Sequence, residues 1–277
     1  MNITIKTYVF LLTFIIISSL SAIGCSQSDD LNISEINPVM NLYDSDIEDF
    51  CETPDEDSAM VENNNLERLL PDEDLSLMDK AANKRGKFWP KGKVLRVRFL
   101  NGSVAMQKRI MAIAKIWTVG ANIQFKSVNE GNSDIRVSFT LGGFNGITVI
   151  GTGAKKIGAN VATMKLVLPN NDNIKFQRLI LHEFGHALGL EHEHQNPKSN
   201  ICWNKEKVYA FYQQTKGWSK NRINREVFKK YSLYSRQYDR KSIMHYTIKR
   251  NLLNCNKAVP FTNQLSELDM KFIRYIY

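Results

Sequence analysis

Apolar and polar positions fall into regular patterns from about residue 94 onward, and lack them before residue 80. Leu95, Val97 and Phe99 alternate with Val94, Arg96 and Arg98, which predicts a strand with one buried face. Ser103 is placed to cap a helix running to about Val119, with Met106, Ile110, Ile113, Ala114 and Trp117 along its apolar side. Strands are predicted at Ile123–Ser127 and Ile135–Thr140. A glycine-rich loop from Gly142 to Gly158 follows, then a strand at Thr163–Leu168 closed by Pro169. Asn171, Asp172 and Asn173 offer an N-cap for a helix over Ile174–Leu188, whose buried stripe is Phe176, Ile180, Phe184 and Ala187. Strands interleaved with helices predict an α/β arrangement, with helices packed on one twisted sheet.

The first 24 residues read differently. Lys6 precedes an apolar run from Tyr8 to Ile17, followed by small residues at Ser18–Ala22. The run is too short to span a membrane and has the layout of a cleaved export signal. It ends in Ala22-Ile23-Gly24-Cys25, which resembles a bacterial lipobox, so Cys25 is the expected lipid attachment site. Ordinary signal cleavage is the alternative. Residues 25–80 are polar, with Asn63-Asn64-Asn65 and Pro71-Asp72-Glu73-Asp74 reading as loop and at most one short helix near Leu66–Leu70. The domain expected to fold is 81–277.

Charge divides the chain at the same place. Ser26–Asp79 holds seventeen acidic residues against the single base Arg68, whereas Lys80 onward holds 35 basic residues against 11 acidic ones. The overall charge of +9 therefore hides an acidic segment ahead of a basic domain, and the two should attract each other. A solvated tether is the plainer reading of the acidic stretch. No stacking or groove-reading motif accompanies the basic charge, so nucleic acid is not an expected partner. Of four cysteines, lipid on Cys25 leaves three. Cys202 and Cys255 flank the C-terminal third and form the expected disulfide, leaving Cys51 as the odd thiol.

The chemistry is concentrated in His182-Glu183-Phe184-Gly185-His186-Ala187-Leu188-Gly189-Leu190-Glu191-His192. Histidines four apart on a helix project from one side and can share a zinc ion, Zn2+. Glu183 is placed to take a proton from water at the open zinc position and to hand it to a leaving amine. Gly189 supplies the sharp turn that brings His192 back as third ligand. Three protein ligands leave room for water, as catalytic rather than structural zinc requires. All five histidines lie between 182 and 245, which argues against an accidental pair.

This motif resembles that of the metzincin metallopeptidases, and its surroundings resemble the astacin branch. Glu193 follows the third histidine, and Tyr238 to Tyr246 is similar to the family's Met-turn segment. Leu265 to Tyr277 is similar to its closing helix, and Trp89 and Thr163-Met164 also fit. The resemblance covers about residues 81–277. It implies a metzincin-type fold: a twisted, mostly parallel sheet with helices in the N-terminal subdomain and a mostly irregular C-terminal subdomain ending in a helix. It implies zinc-dependent cleavage of protein or peptide substrates, with Met244 as an apolar floor under the zinc and Tyr246 as zinc ligand or oxyanion stabiliser. The substrate is expected to pair with an edge strand, taken to be Thr163–Leu168. His194 and His245 are not expected to be ligands, and Glu193 is expected to anchor the mature N-terminus or to be a surface charge. His194-Gln195-Asn196-Pro197 departs from the animal members' continuation, and their disulfide pattern is absent, which points to a divergent bacterial member. A zinc-binding module without catalysis would lack Glu183 or Tyr246; both are present.

Cys51-Glu52-Thr53-Pro54-Asp55 resembles the core of the matrixin cysteine switch, without its preceding Pro-Arg and its internal Gly. Cys51 is therefore the expected zinc ligand of a latent form, with the pro-segment as intramolecular inhibitor. A third disulfide partner, an inert thiol and a blocking aspartate are the alternatives. Activation is expected near Ala81–Lys87, where Lys84-Arg85 offers a basic cut. With lipid on Cys25, that cut frees an enzyme held at the membrane or cell surface.

Overall fold

The structure, a computed structural model, describes the backbone of Cys51–Glu52 and residues 87–231 and 237–277. The export segment, Cys25, the 66–70 helix and the Lys84-Arg85 site lie outside the described residues.

Six strands form one sheet in the order β1-β5-β6-β4-β2-β3: β1 (Cys51–Glu52), β2 (Val94–Phe99), β3 (Gln124–Ser127), β4 (Ile135–Leu141), β5 (Asn145–Thr148) and β6 (Met164–Leu168). All neighbours run parallel except β5 and β6, which are antiparallel. Helix α1 (Val104–Ala114) starts where Ser103 Oγ accepts from the Met106 amide, and it buries Ile110, Met111, Ile113 and Ala114. A tight turn at Lys115–Thr118 continues it and carries Trp117 into the core. Helix α2 (Asn173–Ala187) is capped by Asp172 and packs on α1, β5 and β6. Leu95, Val97, Ile135, Met164, Leu166, Ile180 and Phe184 are almost fully buried between sheet and helices. The predicted mostly parallel sheet with its helices is therefore what the chain builds.

Two expectations are corrected at the sheet edge. The stretch 142–158 is not loop throughout, because β5 lies within it. Strand β6 is consequently interior, paired on both sides, so it cannot be the edge that receives a peptide. Strand β5 lies outside it, and its outer side pairs with β1, a strand in a segment where none was predicted. Arg136 fixes the chain beyond β5: its buried guanidinium donates to the carbonyls of Val161, Ser133, Ala154 and Ile157 at 2.6–3.2 Å.

The C-terminal part holds more helix than its sequence suggested. Helix α3 (Lys205–Lys216) is capped by Asn204 and ended by Gly217, and α4 (Lys220–Ile223) follows with Ser219 as its cap. They enclose Val208, Trp218, Ile223, Val227 and Leu252. Cys202 and Cys255 form the expected disulfide across this part, with Cα atoms 6.0 Å apart. Helix α5 (Glu267–Ile276) closes the fold on a capping box made by Ser266 and Asp269.

Candidate metal centre and active site

Helix α2 delivers His182 and His186 one turn apart, with ring centroids 4.8 Å apart. Its end explains His192. Gly189 takes φ +101°, a conformation that side chains oppose, and the Leu190 amide folds back onto the Gly185 carbonyl at 3.0 Å. The chain then returns His192 to the other two, and one ring nitrogen from each histidine lies within 4.8 Å of the others.

Backbone carbonyls set the tautomers. His182 Nδ1 donates to Ile243 O at 2.8 Å, and His186 Nδ1 donates to Leu190 O at 2.7 Å. A carbonyl can only accept, so each Nε2 keeps its lone pair for a metal. His182 Nε2 is buried without a hydrogen-bond partner, an arrangement that costs free energy unless something else engages it. Burial, followed by neighbouring His186 and Arg178, pushes His182 well below the usual histidine range; burial lowers His186 to about 4. Burial also holds His192 well down, with His186 and His182 adding to the effect. Three neutral, convergent imidazoles are the donor set that zinc takes.

Glu183 is fully buried beside them. Thr148 Oγ1 donates to its Oε2 at 2.5 Å. A Cβ on Gly146 would collide with the same carboxylate, so β5 must carry glycine there. Sequence reading missed both residues. They sit in a four-residue strand inside a glycine-rich stretch, and no periodic signal marks them.

Met244 is fully buried beneath α2, where a Cβ on Gly185 would strike its Sδ. Its carbonyl accepts from the Glu193 amide at 2.9 Å, which links the Met-turn to the loop of the third histidine. Asp269 holds the turn from the far side, accepting from Ser242 Oγ at 2.6 Å and the Ile243 amide at 2.8 Å. Tyr246 lies between two histidines: its centroid is 4.6 Å from His192 and 4.1 Å from His194, stacked on the latter at 27°.

His194 and His245 have other partners. His194 Nε2 donates to Glu226 O at 2.8 Å, whereas His245 bonds Tyr238 Oη and the Tyr246 carbonyl. Glu193 is not a surface charge. It is fully buried, and its Oε1 accepts from Asn196 Nδ2 at 2.9 Å and the Asp239 amide at 3.0 Å. Cys51 is brought to the sheet edge in register with Gly146.

A mostly parallel sheet over a helix bearing two histidines, with a third returned by a glycine turn, defines a zinc metallopeptidase. The chain belongs to the astacin family of peptidases, whose sequence pattern it matches over residues 81–267. Solved structures similar to it include two of myroilysin. "Structure of myroilysin" has 37% identity and a TM-score of 0.66, over 70% of this chain and 96% of that one. "Crystal structure of myroilysin" has 32% identity and a TM-score of 0.56, over 83% of this chain and 91% of that one. No curated protein sequence matches the chain.

Proposed function

We propose that this zinc peptidase is an exported endopeptidase made as a latent precursor, with Glu183 as general base and Cys51 as the block. The observation that carries the reading is the position of β1. Cys51 pairs with Gly146, the residue lying against the Glu183 carboxylate, and a pro-segment running through Cys51 would occupy the edge that an extended peptide would use.

His182, His186 and His192 would hold the zinc. When bound, zinc supplies a Lewis acid for the scissile carbonyl and lowers the pKa of water. Glu183 takes the proton of the attacking water and delivers it to the leaving amine, while Thr148 steadies its carboxylate. The Tyr246 hydroxyl stabilises the oxyanion, and stacking on His194 sets the ring from which it acts. A thiolate from Cys51 would exclude the water that Glu183 needs. Lipid on Cys25 would tether the precursor to a membrane, and a cut near Lys84-Arg85 would remove inhibitor and tether together. Mature enzyme that still carries lipid would refute this release step.

The test is casein digestion by purified precursor, with and without limited trypsin. Trypsin should switch on chelator-sensitive cleavage, and Glu183→Ala should lower it by at least about a hundredfold. Cys51→Ala should be active untreated. A Cys51→Ala precursor that stays latent would transfer the block to another residue.

A further inference from the structure

Tyr246 is flanked by two histidines, and only His192 belongs to the metal set. The tyrosine ring meets His192 at 57° but lies nearly flat on His194, at 27°. His194 is in turn held by the C-terminal part. Helix α4 runs on into a turn of π-helix at Asn224–Phe228, closed by the Lys229 amide on the Asn224 carbonyl at 2.8 Å. The last carbonyls of a helix have no amide of their own helix to accept from. Two side chains from the loop after the third histidine serve them here: Gln195 Nε2 donates to Arg225 O at 3.0 Å, and His194 Nε2 donates to Glu226 O at 2.8 Å. Return bonds tighten the join. The Tyr231 amide donates to Gln195 O at 3.0 Å, and Lys230 Nζ donates to His194 O at 2.7 Å. His194 is fully buried, and its Nδ1 has no hydrogen-bond partner among the described residues, so the bond at Nε2 sets how the ring is turned.

We propose that His194 is a positioning residue for Tyr246: clamped by the Glu226 carbonyl, its face fixes the plane of the tyrosine ring and so aims the hydroxyl. The inference rests on the oxyanion role proposed for Tyr246 above. A donor stabilises developing charge only if it is already aimed at the place where that charge appears. The backbones that carry the two rings are fixed to each other, because the Glu193 amide donates to Met244 O at 2.9 Å. The rings themselves still need a wall. Without the imidazole, one face of Tyr246 would lose its packing, and the hydroxyl would spread over a wider range of directions. The module of α3 and α4 supplies no histidine to the metal set, yet its last helical turn holds that wall in place.

The experiment is a double-mutant cycle of His194→Ala and Tyr246→Phe on zinc-loaded enzyme activated from the full chain. It reads kcat, KM and zinc affinity, with kcat counted per bound zinc so that unfolded protein does not enter. Alone, His194→Ala should lower kcat about tenfold, the upper end of what one aromatic contact is worth, with KM and zinc affinity unchanged within about twofold. Tyr246→Phe keeps the ring but has no hydroxyl to aim, so in that background His194→Ala should cost less than about twofold. His194→Phe keeps a flat face without the bond to Glu226, and its kcat should fall between wild type and His194→Ala. If His194→Ala does not fold, His194→Leu fills the space without a flat face and gives the same readout. An equal loss of kcat in both backgrounds, or zinc affinity that falls with kcat, overturns the proposal, since His194 would then support the ligands rather than the tyrosine. Undiminished kcat in His194→Ala overturns it as well and leaves the role of Tyr246 standing. If Tyr246→Phe alone leaves kcat unchanged, the oxyanion role fails, and the proposal fails with it.

Discussion

On one side of the histidine cluster, the sheet and α2 share a continuous apolar core that reaches from Leu95 and Ile110 through Phe184 to Phe272. On the other, the described residues between His194 and Ser266 add two small clusters of their own, one around Val208, Trp218 and Ile223 and one around Ile248, Leu253 and Val259. That second side is held by a disulfide, by the carboxylates of Glu193 and Asp269, and by Lys230, whose ammonium donates to the His194 carbonyl at 2.7 Å. The active site draws on both: α2 gives two ligands and Glu183, whereas the polar side gives Met244 and Tyr246. Apolar area stabilises the first side in many small increments. Individual bonds stabilise the second, so single substitutions should tell them apart.

The largest expected difference comes from the disulfide. Its two cysteines are 53 residues apart, and closing such a loop is worth about 4 kcal/mol. Cys202→Ser with Cys255→Ser should lower the urea midpoint and open residues 205–228 to proteolysis before the sheet. A midpoint unchanged from wild type would mean that the aromatic cluster alone holds this side.

Asp269→Ala should cost about 3 kcal/mol, because it strips partners from Ser242, the Ile243 amide and the α5 cap together. Zinc affinity should fall with it, since Ile243 O orients His182. Stability loss with undiminished zinc affinity would separate the Met-turn from the site.

Acid should act more gradually. Burial holds His194 and His245 at about 3, below the ordinary 6.5. An unfolded chain takes up these protons first as pH falls, so their contribution is intact above 6.5 and is lost progressively toward 3. The slope is at most about 1.4 kcal/mol per pH unit for each histidine. Urea melts of metal-free protein between pH 7 and 5 should show it, and a flat profile would contradict neutral, buried rings.

The comparison also explains what the sequence made legible. Long periodic elements announced themselves: α2 with its Asp172 cap, α1 behind Ser103, and the strands ending at Phe99 and Leu168. The histidine triad was visible because its spacing is the chemistry. Strand β5 was not, since four residues carry no period and two of them, Gly146 and Thr148, answer to Glu183 rather than to a core. Helix α3 escaped as well. Val208 is its one fully buried residue, and Tyr209, Phe211 and Tyr212 pack partly against a local cluster. The surface alternative for Glu193 failed because sequence places a charge near a surface by default, whereas tertiary bonds to Asn196 and Asp239 let it sit inside.

The far end of α2 has a mechanical consequence. Trp89 Nε1 donates to the Ala187 carbonyl at 2.8 Å, and Tyr277 Oη donates to that of Leu188. Phe88 packs edge-on against Phe272 and Tyr277, and Lys87 meets Glu191. Residues 87–89 and Tyr277 are thus bolted to the last turn of the ligand-bearing helix and the chain just beyond it. A pull on the chain ahead of Lys87 enters the protein there, two residues from His186, and bypasses the sheet. Tension on a tether at that end would load the metal centre before it loaded the rest of the fold.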